Sequence, residues 1–301
     1  MANVTNTMTD RCATNTAVDR ELQEESGHTL NSFRCAMHPL DSFAREANTI
    51  LKKEDEKRPV IKGSMPYQNR GECSAQSVLR AADKLFNNAA SGDNVALKTY
   101  LADKGLPSSL PRWVGNRFNI LFSNACILFC SGDGILEYFT KVARPQNFLQ
   151  QAFVNAWSNT PRTALRCLGL LFKCFLEPWK AMVGRDIPIL EMNALFEEAR
   201  STLQRWENEP LEIVHGRTVF GKVVTQDSCW ALLTKMADSE QEQVGYLLSK
   251  LIGGIIGVMN RQLSTQLPGG EFWAPSPALS QAAKSCSSTN ISGERNFAYV
   301  D

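Results

Sequence analysis

Apolar residues recur at helical spacing through most of the interval 72–266, and no other feature constrains the fold as much. Val78, Leu79, Ala82, Leu85 and Phe86 fall on one helical face. Phe118, Leu121, Phe122, Ala125 and Phe129 repeat the pattern, as do Met192, Leu195, Phe196, Ala199, Leu203 and Trp206. Residues 225–265 read as two further helices, and strand alternation is scarce, with 214–224 its best candidate. Five of the six tryptophans (Trp113, Trp157, Trp179, Trp206 and Trp230) lie in this block, with most of the apolar residues.

The flanks have another character. Residues 3–9 read as a short strand leading into Asp10, 13–25 as a polar helix and 30–37 as a weakly alternating second strand. Pro39 opens a helix to about Lys53, with Leu40, Phe43, Ala47, Ile50 and Leu51 on one face. Strand, helix, strand, helix is part of an α/β layer. A charged, proline-containing linker follows, and Leu267-Pro268-Gly269-Gly270 breaks the chain again before a polar loop at 285–290. The expected fold is mainly α with a partial α/β layer. Its parts are a partial α/β segment over 1–58, a helical domain over 72–266 and a terminal helical segment over 285–301.

Composition excludes several function classes. Lys plus Arg total 32 against 31 Asp plus Glu, a net charge of +1, whereas a dedicated nucleic-acid module carries a basic excess. A local basic groove remains compatible with that balance. Nine cysteines, an odd number without a C-x-x-C, point to free thiols in a reducing compartment. Cys126 and Cys130 sit in an apolar run and read as small buried hydrophobes. The polar first thirty residues do not form a signal peptide. The apolar stretch 244–259 contains Lys250 and falls short of a membrane span, so it reads as a buried helix, with no membrane partner. The serine-hydrolase elbow, the phosphate loop and the zinc-protease motif are all missing from the sequence.

Three short motifs carry chemistry. Asp10 ends the first strand of the reading, Cys35-x-x-His38 lies 25 residues further on, and Ser292-Gly293-Glu294-Arg295-Asn296-Phe297 closes the chain. Order and spacing resemble the hAT-type DNA transposases, in which an acid ends a core strand, a C-x-x-H follows, and a helical insertion precedes an S-x-E-R-x-F segment. Pro111-Arg112-Trp113-Val114-Gly115-Asn116-Arg117 resembles the stretch that opens the helical insertion in that family.

The resemblance implies an RNase H-like core, truncated here and interrupted by the all-helical insertion. It implies Asp10 and Glu294 as catalytic, metal-binding carboxylates, Mg²⁺ or Mn²⁺ as cofactor, and transposon-end DNA as partner. It further implies homo-oligomers and a nuclear location. Arg112, Trp113 and Arg117 would contact DNA, the ring stacking on a base and the guanidinium groups holding phosphate. Cys35 and His38 would form a structural signature near the core. The first acid of the family has no counterpart before Asp10, so strand cleavage by this polypeptide is not expected.

Each residue also has a plainer reading. Asp10 caps the helix near Ala13, Glu294 complements a helix dipole, and Trp113 packs in the core. The alternative function is a helical protein- or DNA-binding module without catalysis.

Overall fold

Helix formation in the computed structural model follows the apolar periodicity. The structure describes residues 6–9, 13–57, 71–87, 94–113, 120–159, 162–185 and 187–289. β1 (Asn6–Thr9) and β2 (Asn31–Arg34) form a two-stranded parallel sheet, with Met8 opposite Phe33. A parallel pair needs a crossover, which α1 (Ala13–Ser26) supplies. Gly27, at φ 67°, turns the chain out of α1. Pro39 starts α2 (Pro39–Asp55), whose buried face is Leu40, Phe43, Ala47 and Leu51.

The rest is helical: α3 (Ser74–Asn87), α4 (Asn94–Asp103), α5 (Ile120–Glu137), α6 (Phe148–Asn159), α7 (Arg162–Leu171), α8 (Glu177–Val183), α9 (Met192–Asn208), α10 (Ser228–Thr234), α11 (Asp238–Gln262) and α12 (Pro277–Ala282). The Asp55 carboxylate accepts from the Ser74 N–H at 2.6 Å, so the end of α2 holds the start of α3. α11 is the central helix and packs against α2, α7 and α9. It can do so because Gly253 meets Glu207 of α9 and Gly254 meets Ile50 of α2. The glycine pair therefore serves close helix packing. One hydrophobic core runs from Phe33 to Ala283.

A π-helical turn (Phe172–Leu176) joins α7 to α8. Pro178 cannot donate to the Cys174 carbonyl four residues back, and the Val219 N–H takes that carbonyl instead, at 2.7 Å.

One sequence expectation changes. Residues 214–224 do not form a strand. They form a 3₁₀ turn, a tight loop and a single bridge, Arg217 to Val223, because Gly216 and Gly221 adopt positive φ at 75° and 68°. The buried helix expected at 244–259 lies within α11, where Val244, Leu248, Leu251, Ile252 and Ile255 are buried. Among the described residues one helix is long and apolar enough to cross a membrane, Ile120–Val142, which runs 23 residues at mean hydropathy 1.4. Leu121, Phe122, Ala125, Leu128 and Ile135 are buried in the fold, and the helix packs against α3, α7 and α10.

Candidate functional site

The carboxyl ends of parallel strands are where α/β layers gather ligands and catalytic groups. Here that end is built from three stretches of chain. The Cys35 N–H donates to the Thr9 carbonyl at 3.0 Å, and the Ala36 N–H donates to the Ser288 carbonyl at 2.9 Å. Ser288 is held in turn by its hydroxyl, which donates to the Val183 carbonyl at 3.3 Å. The Cys286 carbonyl accepts from the Ile189 N–H at 2.9 Å. Trp179, fully buried, donates its indole N–H to the Ala36 carbonyl at 3.1 Å. The last residue before Asp10, the start of the C-x-x-H and a residue six short of Glu294 therefore meet within one backbone hydrogen-bond network.

Asp10, Glu294 and Arg117 themselves lie outside the described residues. Cys35 is buried, and His38 is half-buried at the N-cap of α2. Among the described residues no group of three or more His, Cys, Asp or Glu could hold a metal ion, so Cys35 and His38 are not part of such a group. Arg112 is exposed. Trp113 is half-buried against the core, and its main-chain N–H donates to Asp83 at 2.8 Å. The Arg80 guanidinium lies 5.9 Å over its ring and pairs with Glu72 at 2.6 Å. The ring of Trp113 thus serves the core on one side and a cation on the other.

A second cluster escaped sequence reasoning. Cys126 and Cys130, one turn apart on α5, lie within hydrogen-bonding reach of Cys229 on α10. Cys130 Sγ is 3.8 Å from the Cys229 carbonyl oxygen. Beside them Lys173 Nζ pairs with Asp227 at 2.6 Å. The thiol neighbours Cys126 and Cys130 stabilise a Cys229 thiolate and pull its pKa down; burial and Asp227 oppose this, and Lys173 adds to it. Cys130 is pushed up by its two thiol neighbours and by burial. Burial is the largest influence on Cys73, Cys167 and Cys174, lifting Cys73 to about 12 and raising the other two. The i, i+4 spacing of Cys126 and Cys130 was readable in the sequence; their meeting with Cys229, 99 residues past Cys130, was not.

No protein-family model, no curated protein and no solved structure matches this chain.

Proposed function

We propose that the chain is a hAT transposase-like protein. In this reading β1, α1 and β2 are part of an RNase H-like layer interrupted by the helical block. Asp10 and Glu294 are its cation-binding carboxylates, and Arg112, Trp113 and Arg117 contact DNA ends. The observation that carries the reading is the convergence at the strand ends, where Thr9, Ala36 and Ser288 are linked through main-chain hydrogen bonds. Two carboxylates are hard oxygen donors and suit Mg²⁺ or Mn²⁺. They are fewer than two-metal phosphoryl chemistry uses, so the proposed role is cation binding and DNA-end contact without strand cleavage.

Mn²⁺ titration of the full chain, followed by electron paramagnetic resonance, tests the acids. Asp10→Asn and Glu294→Gln should each weaken binding by about tenfold, the loss of one charged ligand. Equal Mn²⁺ affinity in wild type and both variants would overturn the assignment. In a gel shift, Arg112→Ala with Arg117→Ala should lower the salt slope of duplex binding by about two, one for each phosphate no longer neutralised.

The second reading is a helical module that binds without catalysis. It is favoured by a cleft of about 590 Å³ that Lys104, Glu137, Arg162, Arg166, Lys235 and Glu240 help line. Arg166 is 8% exposed there, and its Nε has no hydrogen-bond partner. DNA binding that persists with no measurable Mn²⁺ binding would select this reading over the first.

A further inference from the structure

Six of the described thiols fall into two chemical groups. Cys73, Cys167 and Cys174 are sealed in the core, with 0% exposure each. Cys126, Cys130 and Cys229 instead face one another across the contact of α5 with α10. Cys126 and Cys130 are 2% and 5% exposed, whereas Cys229 is half-buried and reachable from solvent. Cys130 also lines the cleft described above, beside Phe129 and Leu232.

Helix packing holds the cluster together. Gly169 on α7 lets that helix approach closely; a Cβ there would lie 2.7 Å from Leu233 of α10 and 3.1 Å from the Cys126 Cα of α5. Asp227 caps α10 by accepting from the Trp230 N–H at 2.8 Å, which fixes the turn that carries Cys229. Lys173 is held by Asp227 and places an ammonium group near the thiols. A cation and neighbouring S–H groups stabilise a thiolate.

We propose that Cys229 is a hydroperoxide-reactive thiol, and that Cys126 and Cys130 form the resolving pair that closes it into a disulfide. The Cys229 thiolate attacks the terminal oxygen of a hydroperoxide. The O–O bond breaks, the alkoxide or hydroxide leaves and takes a proton from solvent, and Cys229 becomes a sulfenic acid. A thiol of the α5 pair then attacks that sulfur. The S–O bond breaks, water leaves with the thiol proton, and a disulfide joins α5 to α10. Two electrons pass to the peroxide, and a dithiol reductant returns them by exchange.

The test uses the reduced full chain, hydrogen peroxide as oxidant, rapid alkylation and peptide mass mapping. Cys286 is the internal control, being half-buried with its pKa raised by burial alone. Cys229 should be consumed roughly tenfold faster than Cys286, the gain in thiolate being partly offset by lower intrinsic nucleophilicity. The product should be a Cys229–Cys130 or Cys229–Cys126 disulfide. In the Cys126→Ala/Cys130→Ala double variant, which also removes the two thiols that favour the Cys229 thiolate, oxidation should slow and dimedone should trap the sulfenic acid at Cys229. In Cys229→Ser, the α5 pair should stay reduced. Equal consumption of Cys229 and Cys286 in the wild-type chain overturns the proposal without recourse to any variant. So does a disulfide that omits Cys229.

Discussion

The strand–helix segment at the head of the chain and the helical block around α5 are stabilised in opposite ways. Across the β1–β2 sheet the facing pairs are mostly polar: Asn6 with Asn31, Thr7 with Ser32, Thr9 with Arg34, and only Met8 with Phe33 apolar. α1 turns Asp19 inward, 4% exposed, to accept from Ser32 at 2.8 Å, and leaves Val18 and Leu22 at 46% and 42% exposure. α5 does the reverse and buries Leu121, Phe122, Ala125, Leu128 and Ile135. A two-stranded sheet is marginal alone. The head of the chain is therefore ordered by docking on the block, through α2 against α11 and through Phe33 against Phe272, ring centroids 4.8 Å apart.

If that contrast is right, the joint between the regions is the most sensitive place in the molecule. Trp179 stacks on Phe196 at 5.3 Å, meets Phe43 of α2 edge-on at 5.8 Å and donates to Ala36. Trp179→Ala should cost about 3–5 kcal/mol, the range for deleting a buried aromatic. Urea denaturation measures it. A loss under about 1 kcal/mol would mean that the regions do not depend on one another there.

Within the block, packing should dominate helix propensity. A Cβ on Gly132 of α5 would run into the ring of Trp157, which is 1% exposed and donates to Asp133 at 3.0 Å. Gly132→Ala should cost about 1–3 kcal/mol through overpacking. Gly257 of α11 has open space around it, so Gly257→Ala should gain about 0.5–1 kcal/mol from helix propensity. Thermal melts of the two variants should therefore move in opposite directions. Movement in the same direction breaks the picture of a tightly packed block.

The legibility of the sequence divides along the same line. Element positions in the head were readable because turn chemistry marks them: Gly27 ends α1 and Pro39 starts α2. The expected strand at 30–37 shortens to Asn31–Arg34, where it pairs with β1; of the strand expected at 3–9, the described residues Asn6–Thr9 are all in β1. In the block, helical periodicity located the helices but could not say which sides meet. The role of Trp113 turns on Arg80, 33 residues earlier on α3, and the thiol cluster turns on a contact between α5 and α10. For 214–224, alternation was outweighed by two glycines at positive φ.

The Lys173–Asp227 pair should give a smaller, pH-dependent effect at the edge of the block. Burial would raise the Asp227 carboxyl, but the hydrogen bonds from Lys173 and the Trp230 N–H outweigh it and hold the pKa below the ordinary value. A depressed pKa contributes stability above the unfolded value and loses it as pH falls through the folded one. Burial would lower Lys173, but Asp227 and Glu177 outweigh it and raise the pKa. That contribution is complete below the ordinary lysine value and is lost only as pH rises through the folded value. The pair therefore stabilises across neutral pH and fails first in acid. Asp227→Ala should cost about 1 kcal/mol at pH 7, mainly through removal of the cap. The gap from wild type should narrow below about pH 4, the carboxylate range. A gap that is constant from pH 7 to pH 3 would show that charge contributes nothing there.

The smallest effect is expected on α1. Val18 and Leu22 lie one turn apart on its outer face, while Asp19 faces the sheet. If the helix is held by its polar inner face, Val18→Lys with Leu22→Lys should change stability by no more than about 0.5 kcal/mol, as at an ordinary surface position. Denaturation midpoints at two protein concentrations decide the matter. A loss above about 1.5 kcal/mol, present only at the higher concentration, would mean that a second copy covers this face. The head of the chain would then share the block's reliance on apolar burial, and the contrast between the two regions would hold only for the isolated chain.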